Sequence, residues 1–387
     1  METFYLFLVV FLGILAIFDL SVGVSNDAVN FLNASIGSKA ASFRVIMIVA
    51  ATGILVGASL SNGMMDIARH GIYQPQYFYF SEIMCILVAV MLTDVVVLDV
   101  FNSLGMPTST TVSLVFELLG GTVAYSLVKI INDSQGLLEL GHLMNTDKAL
   151  TVILGIFLSV AIAFFFGMVV QYISRLIFTF NYKKTAKYFI GVFGGIAATS
   201  IIYFMLIKGL KSSPIFSGSF ADYVLSHTGT VVLYCFVGFT ILMQLLHWLH
   251  VNVFKVIVLM GTFALALAFA GNDLVNFIGV PLAGYSAYSD FMAQHGTVAP
   301  DTFLMTSLQS SAKTPWYFLL GAGIVMVIAL LTSKKAQNVV KTSVDLARQS
   351  EGEENFGTSP VARVLVRACM NLAKTVTHVI PIPVKDW

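Results

Sequence analysis

Residues 25–32 read Ser25-Asn26-Asp27-Ala28-Val29-Asn30-Phe31-Leu32, and residues 271–278 read Gly271-Asn272-Asp273-Leu274-Val275-Asn276-Phe277-Ile278. The two stretches coincide at Asn, Asp, Val, Asn and Phe, a match too specific for shared composition alone. Each follows a long apolar block. Each leads into a glycine-containing stretch, with Gly37 in the first case and Gly279, Pro281 and Gly284 in the second. The chain therefore carries a duplicated element, and what surrounds it decides the fold.

Outward from these stretches the 387 residues are 57% hydrophobic and 11% charged, against about 25% charged in an ordinary soluble domain. Mean hydropathy is +0.87. Apolar blocks near the ~20 residues that a helix needs to cross a bilayer fall at 4–24, 43–60, 80–101, 107–127, 149–176, 189–207, 228–247, 255–271 and 315–332. The expectation is an all-α integral membrane protein, a polytopic helical bundle of about nine spans. No Lys or Arg precedes the first block, so it reads as a span and not as a cleaved signal.

The first copy follows span one and the second follows span eight. This odd separation makes the two enter the membrane from opposite faces, as inverted-topology repeats with broken helices do. The domain reading is a first repeat with connecting spans over 1–247, the start of a second inverted repeat over 248–332, and a cytoplasmic tail or linker over 333–387. In that tail Arg363, Arg367 and Lys374 oppose Val364, Leu365, Ala368 and Leu372, the pattern of an amphipathic helix. Lys39 and Arg44, then Arg175, Lys183, Lys184 and Lys187, then Lys334, Lys335 and Lys341 cluster on one side of the expected topology. That side should be cytoplasmic, with the N-terminus outside.

A net charge of +1 with no basic groove excludes a nucleic-acid surface. The three cysteines, Cys85, Cys235 and Cys369, are dispersed and suit neither zinc nor a disulfide framework. His247 and His250 have no third ligand nearby and read as interfacial.

Burying an Asp in a bilayer costs about 2.5 to 3.5 kcal/mol on insertion scales unless an ion, water or partner meets it. A helix interrupted at Asn26-Asp27 and at Asn272-Asp273 would offer free amides to an anion and free carbonyls to a cation. Asp27, Asn30, Asp273 and Asn276 would add hard oxygen ligands for Na⁺, or groups able to carry a proton. The alternative for the Asn-Asp pairs is simple helix capping at the membrane surface.

A second constellation is Gly105-Met106-Pro107-Thr108-Ser109-Thr110-Thr111. Proline at a helix start, followed by hydroxyls and unpaired amides, makes a site for a tetrahedral oxyanion that needs no Lys or Arg. Thr108, Ser109, Thr110 and Thr111, with Asn26 and Asn272, are the candidate anion ligands. Asp19, Asp94 and Glu117 lie within apolar blocks and are candidates for coupling, with Asp99 at the end of the third block.

At these residues the chain resembles the inorganic phosphate transporter (Pit) family, whose members carry paired copies of a G-x-N-D-x-x-N element and of a G-x-P-x-S-T-T element. The resemblance covers most of residues 1–332. The family implies a secondary active transporter, not an enzyme, importing phosphate with Na⁺ or H⁺. It implies a multi-pass protein of the plasma membrane, the inner membrane in a bacterium, often a homodimer. It implies no cofactor beyond the transported cation, and no metal beyond transported Na⁺.

Three departures stand out. Val112 follows Ser-Thr-Thr where relatives commonly have His. Residues 43–60 contain no acid where many relatives carry a Glu. No second Pro-x-Ser-Thr-Thr follows the second Asn-Asp element, the run Thr306-Ser307-Leu308-Gln309-Ser310-Ser311 lying too close to it. The expectation is a chain cut short of a second set of spans, with a self-assembling half-transporter as the alternative. Beside phosphate symport stand a sulfate permease, a membrane-embedded metal-dependent hydrolase using Asp27 and Asp273, and a scaffold. The hydrolase lacks a nucleophile and base pair, and a scaffold has no use for buried carboxylates.

Overall fold

The computed structural model describes residues 2–61, 67–132, 139–179, 182–205, 219–294, 298–310, 314–346, 363–364 and 366–371. Its helices are α1 (Glu2–Gly37), α2 (Phe43–Leu60), α3 (Phe80–Ser103), α4 (Thr110–Asn132), α5 (Leu140–Leu143), α6 (Thr146–Phe178), α7 (Tyr182–Phe204), α8 (Ser219–Ser226), α9 (Thr228–Trp248), α10 (Val253–Asn272), α11 (Leu274–Ala293), α12 (Trp316–Thr332) and α13 (Lys334–Leu346). Among the described residues there is no strand, only isolated bridges pairing Tyr73 with Met144 and Tyr79 with Leu304.

Among the described residues eight helices are long and apolar enough to span a membrane, α10 and α11 counting as one, and nine if α12 and α13 count as one bent span. The chain is a multi-pass helical membrane protein, as its composition requires. Met1–Val344 form one compact unit and Asp345–Trp387 a second. In the second, the described residues 363–364 and 366–371 are helical and exposed. Leu365, Leu372 and Lys374 of the expected amphipathic stripe lie outside the described residues, as does Ser311.

Burial separates the spans into two kinds. Helix α1 packs against α2, α3, α10, α11 and α12, so it stands at the centre of the bundle. Helix α6 buries only Ala149 and Phe178, at its two ends, and exposes Phe157, Phe164, Phe165 and Phe166 along its length. In water such a surface would drive aggregation; in a bilayer it is the ordinary face towards acyl chains. Between α2 and α10, Gly53 and Gly57 face the backbone of Phe263 and Leu267, and a methyl on either would strike it. Two small residues four apart let the helix backbones touch, which is how membrane helices gain packing where apolar burial gives no drive.

The expected helix breaks need correction. Helix α1 runs without interruption from Glu2 to Gly37, straight through Asn26 and Asp27. Its backbone has no reason to open, because the polar side chains find partners sideways on a neighbouring turn. At the second copy the interruption is one residue. Asp273 stays in a right-handed helical conformation, its N–H donating to the Phe269 carbonyl at 2.7 Å, and α11 starts at the next residue. No unwound segment with free amides and carbonyls exists at either copy. The sharp bend lies elsewhere, 67° between α12 and α13 at Ser333.

Pro107 also sits differently from expectation. It precedes the helix and not its first turn: Ser109 is the N-cap, its Oγ accepting from the Val112 N–H at 3.3 Å.

Candidate oxyanion and cation site

The hydroxyl-rich turn is positioned by the end of α3. The Gly105 N–H donates to Asn102 O at 3.1 Å and the Met106 N–H to Phe101 O at 2.9 Å, the paired bonds of a Schellman stop. Gly105 has φ +68°, the left-handed conformation this stop needs, which glycine adopts without a Cβ penalty. The chain is thereby turned back so that Thr108 to Thr111 arrive against the middle of α1.

There Asn26 clamps the turn. Its Nδ2 donates to Thr108 O at 2.7 Å and its Oδ1 accepts from Thr108 N–H at 3.0 Å, so one amide side chain satisfies both polar groups of one peptide residue. Asp27 Oδ2 accepts from the Thr110 hydroxyl at 2.9 Å, and Asp27 Oδ1 accepts from Asn26 Nδ2 at 3.1 Å. Asn26, Asp27 and Thr110 are all buried. Asn30 is exposed, and its Nδ2 reaches Asp27 Oδ1 at 3.4 Å.

The second copy meets the first across the same turn. Asn276 Nδ2 donates to Thr111 Oγ1 at 2.9 Å. The Phe277 ring packs on Gly23, one turn before Asn26, where any side chain would collide with it. Asp273 is close enough to Asp27 for their charges to interact. The candidates thus meet on one turn in two hydrogen-bonded sets: Asn26, Asp27 and Asn30 with Thr108 and Thr110, and Asn276 with the adjacent Thr111. Asn272 is exposed and stands outside both. Ser109 is exposed at the head of α4.

The acid candidates form a neighbouring group. Asp19 and Asp94 are fully buried, with both oxygens of each carboxyl lacking a partner. Glu117 Oε1 accepts from the Ser113 hydroxyl at 2.7 Å, while its Oε2 has none. The charges of Asp19, Asp94 and Glu117 act on one another, and Asp27 acts on Asp19. Asp99 stands apart, ion-paired with Lys335 at 2.6 Å. Among the described residues no group of three His, Cys, Asp or Glu has the geometry to hold a metal.

A cavity of about 550 Å³ opens between α3 and α4, lined among others by Thr93, Thr108, Ser113 and Glu117. The carboxyl of Glu117 and the hydroxyl turn therefore share one space. Ser113 and Asn102 were not singled out in the sequence; the signal available was their helical spacing, Ser113 one turn before Glu117 and Asn102 ahead of the Gly105 stop. Arg69 was likewise overlooked. It is buried and donates from Nε to Ser310 O at 3.0 Å and from Nη2 to Ser307 O at 3.2 Å, which ties down the Thr306–Gln309 turn.

Comparison with known proteins bears on the fold and the family. A solved structure of a sodium-dependent phosphate transporter superposes with a TM-score of 0.63 over 90% of this chain and 80% of its own, at 19% identity, a similarity of fold. A sodium-dependent phosphate transporter of Plasmodium falciparum is 36% identical over 129 residues, which is 33% of this chain and 19% of that relative's length. The model of the phosphate transporter family matches residues 23–343, from the glycine before the first Asn-Asp element to the last turn of α13. That span holds both copies, the hydroxyl turn and the acids Asp94 and Glu117, and on it the chain belongs to the phosphate transporter family.

Proposed function

We propose that this chain imports inorganic phosphate by symport with Na⁺ or H⁺. The observation that carries the reading is the cluster in which Asn26, Asp27 and Asn276, from both copies of the repeat, converge on Thr108 to Thr111. An oxyanion is received at the head of α4, where the exposed Ser109 stands at the positive end of the helix dipole. Asp27 and Asp273, with Asn30 and Asn276, receive the cation. Two carboxylates whose charges act on each other in a low-dielectric setting attract a positive charge, and its arrival offsets the charge of the anion.

Asp19, Asp94 and Glu117 serve the coupling. Three carboxyls with so few hydrogen-bond partners inside a membrane bundle need a proton or a cation for company. Phosphate is favoured over sulfate because Glu117 lines the cavity that Thr108 also lines: a carboxylate accepts a hydrogen bond from protonated phosphate, and sulfate has no proton to give. The hydrolase reading has no activated nucleophile to support it. The topology that goes with import puts the N-terminus outside and α13 on the cytoplasmic side of the plasma membrane, with repeats over 1–247 and 248–332 and a homodimer as the family resemblance implies.

The test is uptake of labelled phosphate into proteoliposomes under an imposed Na⁺ or H⁺ gradient. Accumulation that follows one of the two gradients and resists competition by equimolar sulfate is expected. Failure of both gradients to drive uptake overturns the reading, and equal competition by sulfate replaces phosphate as substrate.

A further inference from the structure

Helix α13 does not leave the bundle after the last span. It turns by 67° at Ser333 and packs against the second half of α1 and the turn that follows α3. Its own Ala336, Val339, Val340 and Thr342 are buried on the inward face. Three polar contacts fasten the bend and the helix. The Ser25 and Ser333 hydroxyls are 2.8 Å apart, Lys335 Nζ meets Asp99 Oδ1 at 2.6 Å and Asn33 Nδ2 donates to Ser343 Oγ at 2.9 Å. Thr342 lies over Gly105, where an added Cβ would come within 3.1 Å of its Oγ1.

Beneath the bend lies a cavity of about 460 Å³ whose polar lining includes Ser21, Ser25, Asp99, Asn102 and Lys335. Asn102 is fully buried; its Nδ2 donates to Val22 O at 2.8 Å, but its Oδ1 has no partner. Ser25 is the residue before Asn26, and Asn102 accepts the Gly105 amide in the stop that aims the hydroxyl turn. The cavity thus backs directly onto the cluster, on the α13 side.

We infer that α13 is the gate of the site on this face. Hinged at Ser333, it closes the cavity beside Ser25, and through Thr342 against Gly105 it holds the turn that positions Thr108 to Thr111. Opening the gate therefore loosens the anion ligands as it exposes the path, so closure and tight binding go together. The inference rests on the transport reading above. The fastenings suit the role: a half-exposed ion pair and single hydroxyl contacts are individually weak, so the closed state is held yet can be left during turnover.

The test uses the full chain with the free cysteines Cys85, Cys235 and Cys369 replaced by Ala. Asn33→Cys and Ser343→Cys are introduced together to lock the far end of α13 to α1 by oxidation. Phosphate uptake is expected to fall by more than about tenfold on oxidation and to return on reduction, since a locked gate cannot cycle. In the same protein Ser21→Cys, with labelling read at that residue by mass spectrometry of its peptide, reports cavity access to a membrane-impermeant maleimide. Its labelling should fall on locking, and should rise about two- to fivefold in the unlocked protein when Asp99→Asn removes the ion pair. Uptake and labelling both unchanged by a completed cross-link overturn the gate, as does a pair that cannot be cross-linked. Labelling that follows the lock in a protein that accumulates no phosphate keeps the gate and removes the substrate reading.

Discussion

Asn26 and Asp27 are buried inside an unbroken α1, whereas Asn272 is exposed and Asp273 interrupts the helix between α10 and α11. The same residues in the same order meet different surroundings. The first copy lies against the hydroxyl turn, whose peptide groups and Thr110 hydroxyl satisfy its polar side chains without disturbing the backbone. The second copy has no such turn of its own among the described residues; it sends Asn276 across to Thr111 and leaves Asn272 at the surface. Whether an Asn-Asp pair breaks a helix thus depends on what is brought against it.

The largest effect is expected where the two copies touch. Gly23→Val forces a side chain into the Phe277 ring, which should cost about 1 to 3 kcal/mol by overpacking. A lowered melting temperature in detergent, restored by adding Phe277→Ala, would confirm the contact, and an unchanged one would remove it. Next comes the asymmetry of the acids. Asp27→Asn disturbs a carboxylate accepting from Thr110 and Asn26, worth about 1.5 to 3 kcal/mol per charged hydrogen bond, so cation-coupled uptake should drop by about tenfold or more. Asp273→Asn should do less, and equal losses would make the two copies equivalent.

The amides give a finer comparison. Asn276→Ala removes the bond to Thr111, of a kind worth about 0.6 to 1.7 kcal/mol between membrane helices. The phosphate concentration for half-maximal uptake should rise by about three- to tenfold, and Asn272→Ala should raise it less. Smallest of all, Thr110→Ser keeps the hydroxyl on Asp27 and should change uptake by less than about twofold, while Thr110→Val approaches the effect of Asp27→Asn. A Thr110→Val protein that transports normally would dissociate the turn from the cation ligands.

Much of this arrangement was legible beforehand for a physical reason. A repeated Asn-Asp-x-x-Asn in an apolar chain is too costly to keep without partners, so the residues alone make it a candidate site and predict that polar groups meet it. The partners were not legible. That Asn26 would clamp Thr108, that Thr110 would turn its hydroxyl to Asp27 and away from an anion, and that Glu117 would share a cavity with Thr108 depend on contacts between α1, α3 and α4, which sequence spacing does not encode. The expected breaks failed for the same reason: backbone opening is one way to satisfy buried polar side chains, and a facing turn is another.

Composition and periodicity by themselves determined that the chain crosses a membrane as a helical bundle, because blocks of some twenty apolar residues have no other stable setting. They also singled out two Asn-Asp elements and one hydroxyl-rich helix head as its candidate site. Only the tertiary structure decided that one copy is buried and intact while the other is half exposed, that the two meet at Gly23 and Thr111, and that α13 folds back over Gly105. Those outcomes turn on which polar groups come within hydrogen-bond reach, and in a low-dielectric interior that proximity outweighs any local preference of the chain.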